Sequence, residues 1–305
     1  MALQGSGTIK LSEIQTEFTG ENPISLSEYY RNGIYVPSNN TNVPTSGAIS
    51  LGQFYGAVRQ FTFTISSDLA TPQDLATLAV AAGWDGSAPL VAINDAIISS
   101  NTTATPALTV SDSFPAGVTL INNGTIVGMG GAGGVADDSF FNLFYYGTEG
   151  YPGGHALSTA TALTIENNGT IAGGGGGGGG GNTFSNAEYY NAATSGGGGG
   201  RSGLTESAGG GSAYIPVENW TPKYGTNGTF NAPGVGTHDS PYYNHYAGVG
   251  GDWGQAGQNG TSHSETWKAS YGSVGPRAGG AGGNAVVGNS YVTWAATGSR
   301  YGALV

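Results

Sequence analysis

The chain has 305 residues, 58 of them glycine and none cysteine, with 8 basic against 19 acidic side chains and a net charge of −11. A typical soluble domain carries about 7% glycine and about 25% charged residues, so 9% charged residues depart from an ordinary globular enzyme. The acidic balance excludes a nucleic-acid backbone or an anionic lipid surface as partner, because both need clustered Lys and Arg, and zero cysteine excludes disulfides and thiolate metal sites.

The first 56 residues carry a short repeat. "IKLSEI" (9–14), "ISLSEY" (24–29) and "ISLGQF" (49–54) share Ile-x-Leu-[Ser/Gly]-x-apolar. The segment before them, "MALQGSGTIK", has no basic or apolar signal region, so the chain is expected to be made in a cytoplasm without a secretory signal. Ser12 followed by Gln15 predicts a short helix in "SEIQTEF". "SEYYRNG" (27–33) reads as another, stopped at Gly33. Residues 1–59 form a small module of turns packed on Ile and Leu, suited to docking the chain onto a partner.

Residues 60–127 read as a β-rich domain with one helix. "QFTFTIS" (60–66) alternates as a strand. "TPQDLATLAVAAGW" (71–84) predicts a helix capped by Thr71, with Pro72 first inside and Gly83 ending it. Strand-like "PLVAINDAIISS", "ALTVSD" and "GVTLINNGTIVG" come next in the chain.

Composition shifts near 120: residues 1–120 hold 10 glycines and residues 121–305 hold 48. "LTIENNGTIAGGGGGGGGG" (163–181) echoes "VTLINNGTIVGMGGAGG" (118–134), and Asn-Gly in each marks a hairpin or tight turn. Residues 128–305 then alternate glycine tracts with segments rich in Tyr, Trp, Phe, Asn and Ser. "SYVTWAA" near the end predicts a closing strand. The fold class expected is mainly β and irregular: N-terminal module, β-rich middle, and a Gly-rich C-terminal domain.

Nearly pure glycine runs between aromatic segments argue against flexible linkers, which usually pair Gly with Ser. "GMGGAG" (128–133) matches a dinucleotide fingerprint, with Glu149 at a suitable distance, but no strand–helix–strand alternation surrounds it. The favoured reading is a packed one. Polyglycine II helices have three residues per turn, rise about 3.1 Å per residue and bond only laterally. Fixing each residue costs about 1–2 kcal/mol, so such a core must satisfy nearly every backbone group.

Sites for chemistry are sparse. His238, Asp239 and His245 fit no recognised metal spacing. There is no G-x-S-x-G elbow, and nothing pairs Asp137, Asp138, Glu149 or Glu188 as glycosidase carboxylates. No enzyme activity, cofactor or metal is expected. The aromatic segments instead have the composition of recognition loops, rich in Tyr, Trp, Ser, Gly and Asn. The candidate binding residues are Phe140, Phe141, Tyr145, Tyr146, Tyr189, Tyr190, Trp220, Tyr224, Tyr242, Tyr243, Tyr246, Trp253 and Trp267.

"SGTIKLSEIQTEF", "NPISLSEYYRNG" and "SGAISLGQFYGA" resemble the N-terminal segment of tailed-phage virion proteins. "INNGTIVGMGGAGG", "IENNGTIAGGGGGGGGG" and the ending "YVTWAATGSRYGAL" resemble Gly-rich phage tail-fibre proteins. The resemblance implies a virion protein at a fibre tip. Its polyglycine II bundle would comprise tracts 128–134, 173–181, 196–200, 209–211, 248–251 and 279–283. The intervening loops, 135–153, 182–195, 212–233, 237–247 and 252–272, would meet a host outer-surface protein or polysaccharide. It also implies attachment to other tail proteins through the N-terminal module, and a homotrimer or one chain per fibre. The alternative is a purely structural shaft, baseplate or collar protein.

Overall fold

The computed structural model describes residues 3–36, 40–84, 86, 88–111, 114–135, 144–145, 147–181, 183–184, 196–210, 224–240, 243–261 and 277–305. Among them are two α-helices, Leu11–Phe18 and Leu75–Ala81, and short strands dominate the rest.

In the N-terminal module each repeat does the same thing. Its leucine (Leu11, Leu26, Leu51) opens a helical turn, and its sixth residue (Ile14, Tyr29, Phe54) is fully buried. These residues meet in one core with Phe18, Val36 and Val43, where Tyr29 and Phe54 pack edge-on at 6.3 Å. The helix expected over 27–33 is only the 3-10 turn Leu26–Glu28. The Arg31 N–H is drawn to Pro44 O at 2.9 Å, and Asn32 takes a φ of 65°, so the turn cannot propagate. Hydrogen bonds tie the module to the segment entering the first long strand: Asn40 bonds both backbone groups of Val58, and Glu17 accepts from the Arg59 N–H at 2.7 Å.

From Phe61 the chain climbs five rungs of a three-faced parallel solenoid. Its first-face strands, Phe61–Ile65, Leu90–Asn94, Val118–Asn122, Leu163–Asn167 and Val292–Ala296, pair in that order. On the second face Ile97–Ser99, Thr125–Val127, Thr170–Ala172 and Ser299–Tyr301 do the same, with Leu69 bridging to Ile98 below them. On the third, Gln73–Asp74, Leu108–Val110, Leu157–Thr159 and Val286–Val287 stack, and Leu304 bridges to Val286.

The interior is built of columns. Leu90, Val118 and Leu163 are in register, as are Ala92, Leu120 and Ile165, and all are buried. Burying each large side chain contributes about 1.5–3 kcal/mol. A polar column adjoins them: Asn94, Asn122 and Asn167. The Asn-Gly sequences are therefore corners between faces, not hairpins. Gly124 and Gly169 sit where these corners stack, and a Cβ at Gly169 would overlap the Gly124 carbonyl.

The helix expected over 71–84 begins later, at Leu75. Gln73 and Asp74 are held as a strand against Leu108 and Thr109. Asp74, not Thr71, caps the helix by accepting from the Thr77 N–H at 2.8 Å. Gly83, at φ 102°, lies just past its end.

Both glycine-rich insertions leave the solenoid at one place, directly after the second-face strand. They occupy 128–156 in the third rung and 173–285 in the fourth. Residues 60–127 thus share three sheets with later strands, and the line at 127/128 is one of composition rather than packing.

Candidate functional site

The insertions fold into laterally bonded tracts, and the run 173–181 shows the rule. Gly174, Gly177 and Gly180 donate to the carbonyls of Gly154, Tyr151 and Thr148. Gly175 and Gly178 donate to Arg201 and Gly198, and Gly176 and Gly179 to Gln255 and Gln258, all at 2.8–3.0 Å. Every third residue points at the same neighbour. The carbonyls of 174 to 179 accept, with the same period, from Gly280 and Gly283, Gly131 and Gly134, and Gly248 and Gly251. Six tracts therefore surround this one.

The tract 196–201 is also six-coordinated, by 131–134, 207–210, 225–228, 234–237, 247–251 and 173–181. These two central tracts are the two pure glycine runs, and residues 173–181 and 196–200 are all buried. An added Cβ anywhere along Gly173–Gly179 would overlap a neighbouring carbonyl. Outer tracts have an open side, and a side chain occupies it every third residue: Met129, Ala132 and Val135; Thr148 and Tyr151; Ala278 and Ala281.

This spacing hides four tracts from a reading of the sequence: 148–154, 225–228, 234–237 and 255–260. The expected loops 135–153, 212–233 and 252–272 each overlap one of them. The physical reason is that an outer tract needs glycine only where it faces inward, so its glycines are not consecutive.

Strand directions place the loop bases. Gly131 and Gly134 donate to Gly175 and Gly178, so 131–134 runs parallel to 173–181; donors 174, 177 and 180 meet acceptors 154, 151 and 148, so 148–154 runs back. Followed through all ten tracts, 128–135, 173–181, 207–210, 234–237 and 255–260 run away from the solenoid. The tracts 148–154, 196–201, 225–228, 247–251 and 277–283 return. The chain consequently leaves the lattice five times at one far end, after residues 135, 181, 210, 237 and 261. Described segments beyond these exits include the antiparallel pairings Thr183↔Tyr145 and Ser240↔Tyr243.

The near end is seated on the solenoid. Trp253, 8% exposed, packs with Phe230, Val127 and Ala172. Its indole N–H donates to Ser202 O at 3.1 Å, and the Arg201 guanidinium lies 3.6 Å over its ring. Arg201 also pairs with Asp252 at 2.8 Å. Partial burial pushes the Asp252 carboxyl up, but the bonds from Arg201 and the Trp253 amide outweigh this and hold it below its ordinary value.

Of the candidate binding residues, Tyr224 (63% exposed) and Tyr246 (44% exposed) stand at far-end tract starts. Tyr145 and Tyr243 lie in the short far-end strands. Trp253 is packed at the near end. Phe140, Phe141, Tyr146, Tyr189, Tyr190, Trp220, Tyr242 and Trp267 lie outside the described residues, as does His245 in its side chain. Exposed Tyr151, on an outer tract, escaped notice, although its position three residues after Thr148 and between Gly150 and Gly153 marks it. Among the described residues no cluster of His, Cys, Asp or Glu could hold a metal, and "GMGGAG" is a lattice tract.

The family model for the phage tail fibre adhesin Gp38 matches residues 60–305. This chain belongs to that family. Membership places the adhesin in the tail of a phage virion and gives it a role in adhesion. A solved structure, the gp37-gp38 adhesin tip complex of the bacteriophage S16 long tail fiber, contains a similar chain: 27% identity, TM-score 0.61, and 100% of each chain covered. No curated protein matches the adhesin.

Proposed function

We propose that this adhesin is the host-contacting tip of a tail fibre, without enzymatic action. Its Gly-rich insertions form polyglycine II helices, and the segments leaving their far end contact a receptor on the host surface. The observation that carries this reading is the convergence of five chain exits on the lattice end opposite the solenoid, because those exits border the aromatic-rich segments. The three-residue recurrence of lateral hydrogen bonds supports the helix type. Tyr and Trp supply large contact area at low entropic cost.

The N-terminal module, residues 1–59, attaches the adhesin to another tail-fibre protein. The similar solved chain comes from a gp37-gp38 complex, which supports a tail-fibre partner for this chain.

The test replaces 136–146 and, separately, 262–276 with short Gly-Ser linkers that leave all ten tracts intact. Adsorption of particles carrying either variant should fall strongly while thermal unfolding is preserved. Wild-type adsorption by both would sink the far-end reading.

A further inference from the structure

Three threonines toward the far end of the lattice repeat one hydrogen-bond arrangement. The Thr148 N–H donates to Val135 O at 2.7 Å, and the Val135 N–H donates to Thr148 Oγ1 at 2.9 Å. Thr226 and Val235 do the same at 2.9 and 2.7 Å. Thr261 and Tyr246 do so at 2.8 and 2.7 Å. In each pair one threonine meets both backbone groups of its partner, the amide by its side chain and the carbonyl by its backbone.

A fourth copy, Thr229 with Ala232 at 2.8 and 3.2 Å, closes the near-end turn between tracts 225–228 and 234–237; the other three lie toward the far end. Val135 and Thr148 close the two ends of the first far-end segment. Thr226 and Val235 join the return of the third segment to the departure of the fourth. Tyr246 and Thr261 join the return of the fourth to the departure of the fifth. The second is drawn in as well: Gly180, next to its departure, donates to Thr148 O, and Thr237 donates to Gly196 O at its return. The lattice alone does not require this, since the third-residue rule already satisfies the inner tracts. Side-chain oxygens take lattice amides elsewhere as well, Ser202 from Gly130, Asn227 from Gly209 and Asn259 from Gly279. Among the described residues of the lattice, however, only these three threonines meet both backbone groups of a partner that belongs to a different tract or its far-end extension.

We infer that Thr148, Thr226 and Thr261 are positioning residues for receptor binding. Each clasps neighbouring tract ends together, so the bases from which the five far-end segments leave are held in one mutual arrangement. This rests on the far-end reading of receptor contact. Holding loops before binding removes an ordering cost that binding would otherwise meet. Valine matches threonine in shape and deletes only the hydroxyl.

The experiment compares Thr148→Val, Thr226→Val and Thr261→Val, singly and combined, with the corresponding Ser variants, in particles carrying the full-length adhesin. Losing one solvent-accessible hydrogen bond predicts an adsorption loss of about two- to fivefold per clasp, and the triple Val variant a loss of about tenfold or more. The triple Ser variant should adsorb within about twofold of wild type, because the hydroxyl is restored. Hydrogen exchange should rise at Val135, Val235 and Tyr246 and stay unchanged at Gly174–Gly179. Wild-type adsorption by the triple Val variant, beside loss on replacing 136–146, overturns the clasp and spares the far-end reading. Failure of serine to rescue also overturns it, since the methyl group would then be the cause. Unchanged adsorption on replacing both segments overturns both readings together.

Discussion

Asn122 donates its side-chain amide to Asn167 Oδ1 at 2.7 Å, and both residues are buried at matching corners of successive rungs. Asn94 donates to Asn122 in turn at 2.8 Å, and Asn167 ends the column on Thr297 O. Asn122 and Asn167 give and receive from rung to rung, and Asn94, at the start of the column, gives to Asn122 and accepts locally from the Ala96 N–H, so a polar column is carried through an apolar interior without an orphaned group in the chain of bonds. In-register asparagine ladders stabilise stacked parallel strands in this way.

Replacing the middle member should cost more than replacing its neighbour in sequence. Asn122→Ala removes the acceptor of Asn94 and the donor to both Asn167 and Thr170 O. Stranding buried polar groups predicts a loss of about 2–4 kcal/mol. Asn123→Ala breaks only exposed bonds, to Asp95 and Asn168, and should cost under about 1 kcal/mol. Calorimetric unfolding of the two variants checks the ordering. Equal midpoints would show that the buried column contributes nothing special.

The junction between the N-terminal module and the solenoid depends on Asn40. Its side chain donates to Val58 O at 2.9 Å and accepts from the Val58 N–H at 2.7 Å, as a neighbouring strand would. Asn40→Ala should loosen residues 57–60 without unfolding the rungs. Trypsin then reaches the Arg59–Gln60 bond, and cleavage there should speed up by about fivefold or more, since two part-buried hydrogen bonds are lost. The released fragments, 1–59 and 60–305, are read by mass spectrometry.

The elements most legible in the sequence were those decided locally. Alternation in "FTFTI" and the doubled Asn-Gly repeat located strands and corners, and pure glycine marked the two central tracts. What was not legible depends on distant partners. Asn122 meets Asn167 across 45 positions, so no window around an Asn-Gly step distinguishes a corner of a parallel solenoid from a hairpin. The outer tracts were hidden because Thr148 and Tyr151 face out and look like loop chemistry. Trp253 read as a binding aromatic for the same reason, since its burial depends on Arg201, Phe230 and Tyr301, which reach it from elsewhere in the chain. At the far end, Tyr224 and Tyr246 are exposed.

Acid should weaken the seat of the lattice on the solenoid. Asp252 is held below its ordinary pKa, because the bond from Arg201 outweighs the opposing effect of burial. A carboxyl depressed in the folded state stabilises the fold above its unfolded pKa, and that stabilisation is lost as pH falls through the folded value. The difference in unfolding midpoint between wild type and Asp252→Asn should therefore be constant above about pH 5 and vanish in stronger acid. It should also shrink with added salt, since the Asp252 side chain is 58% exposed. A difference that persists unchanged at about pH 2 would remove the ion pair from the account.

The lattice makes a sharper demand on single atoms. At Gly177 an added methyl would overlap the Ala132 carbonyl, and the next contacts are also backbone, so no side chain can move aside to admit it. Six bonded neighbours prevent the tract from shifting as a whole. Gly177→Ala should cost at least about 3 kcal/mol, at the upper end of overpacking penalties, or prevent folding of the insertions. Ala281→Ser adds an atom to a tract bonded to the same core, but at an exposed, outward position, and should change stability by under about 0.5 kcal/mol. Ala132→Gly tests the remaining case: it removes a half-buried outward methyl and should cost under about 1 kcal/mol. The expected order in thermal midpoint is Ala281→Ser above Ala132→Gly, with Gly177→Ala far below both. A flexible tether would tolerate all three equally, so a flat series would exclude a close-packed glycine core.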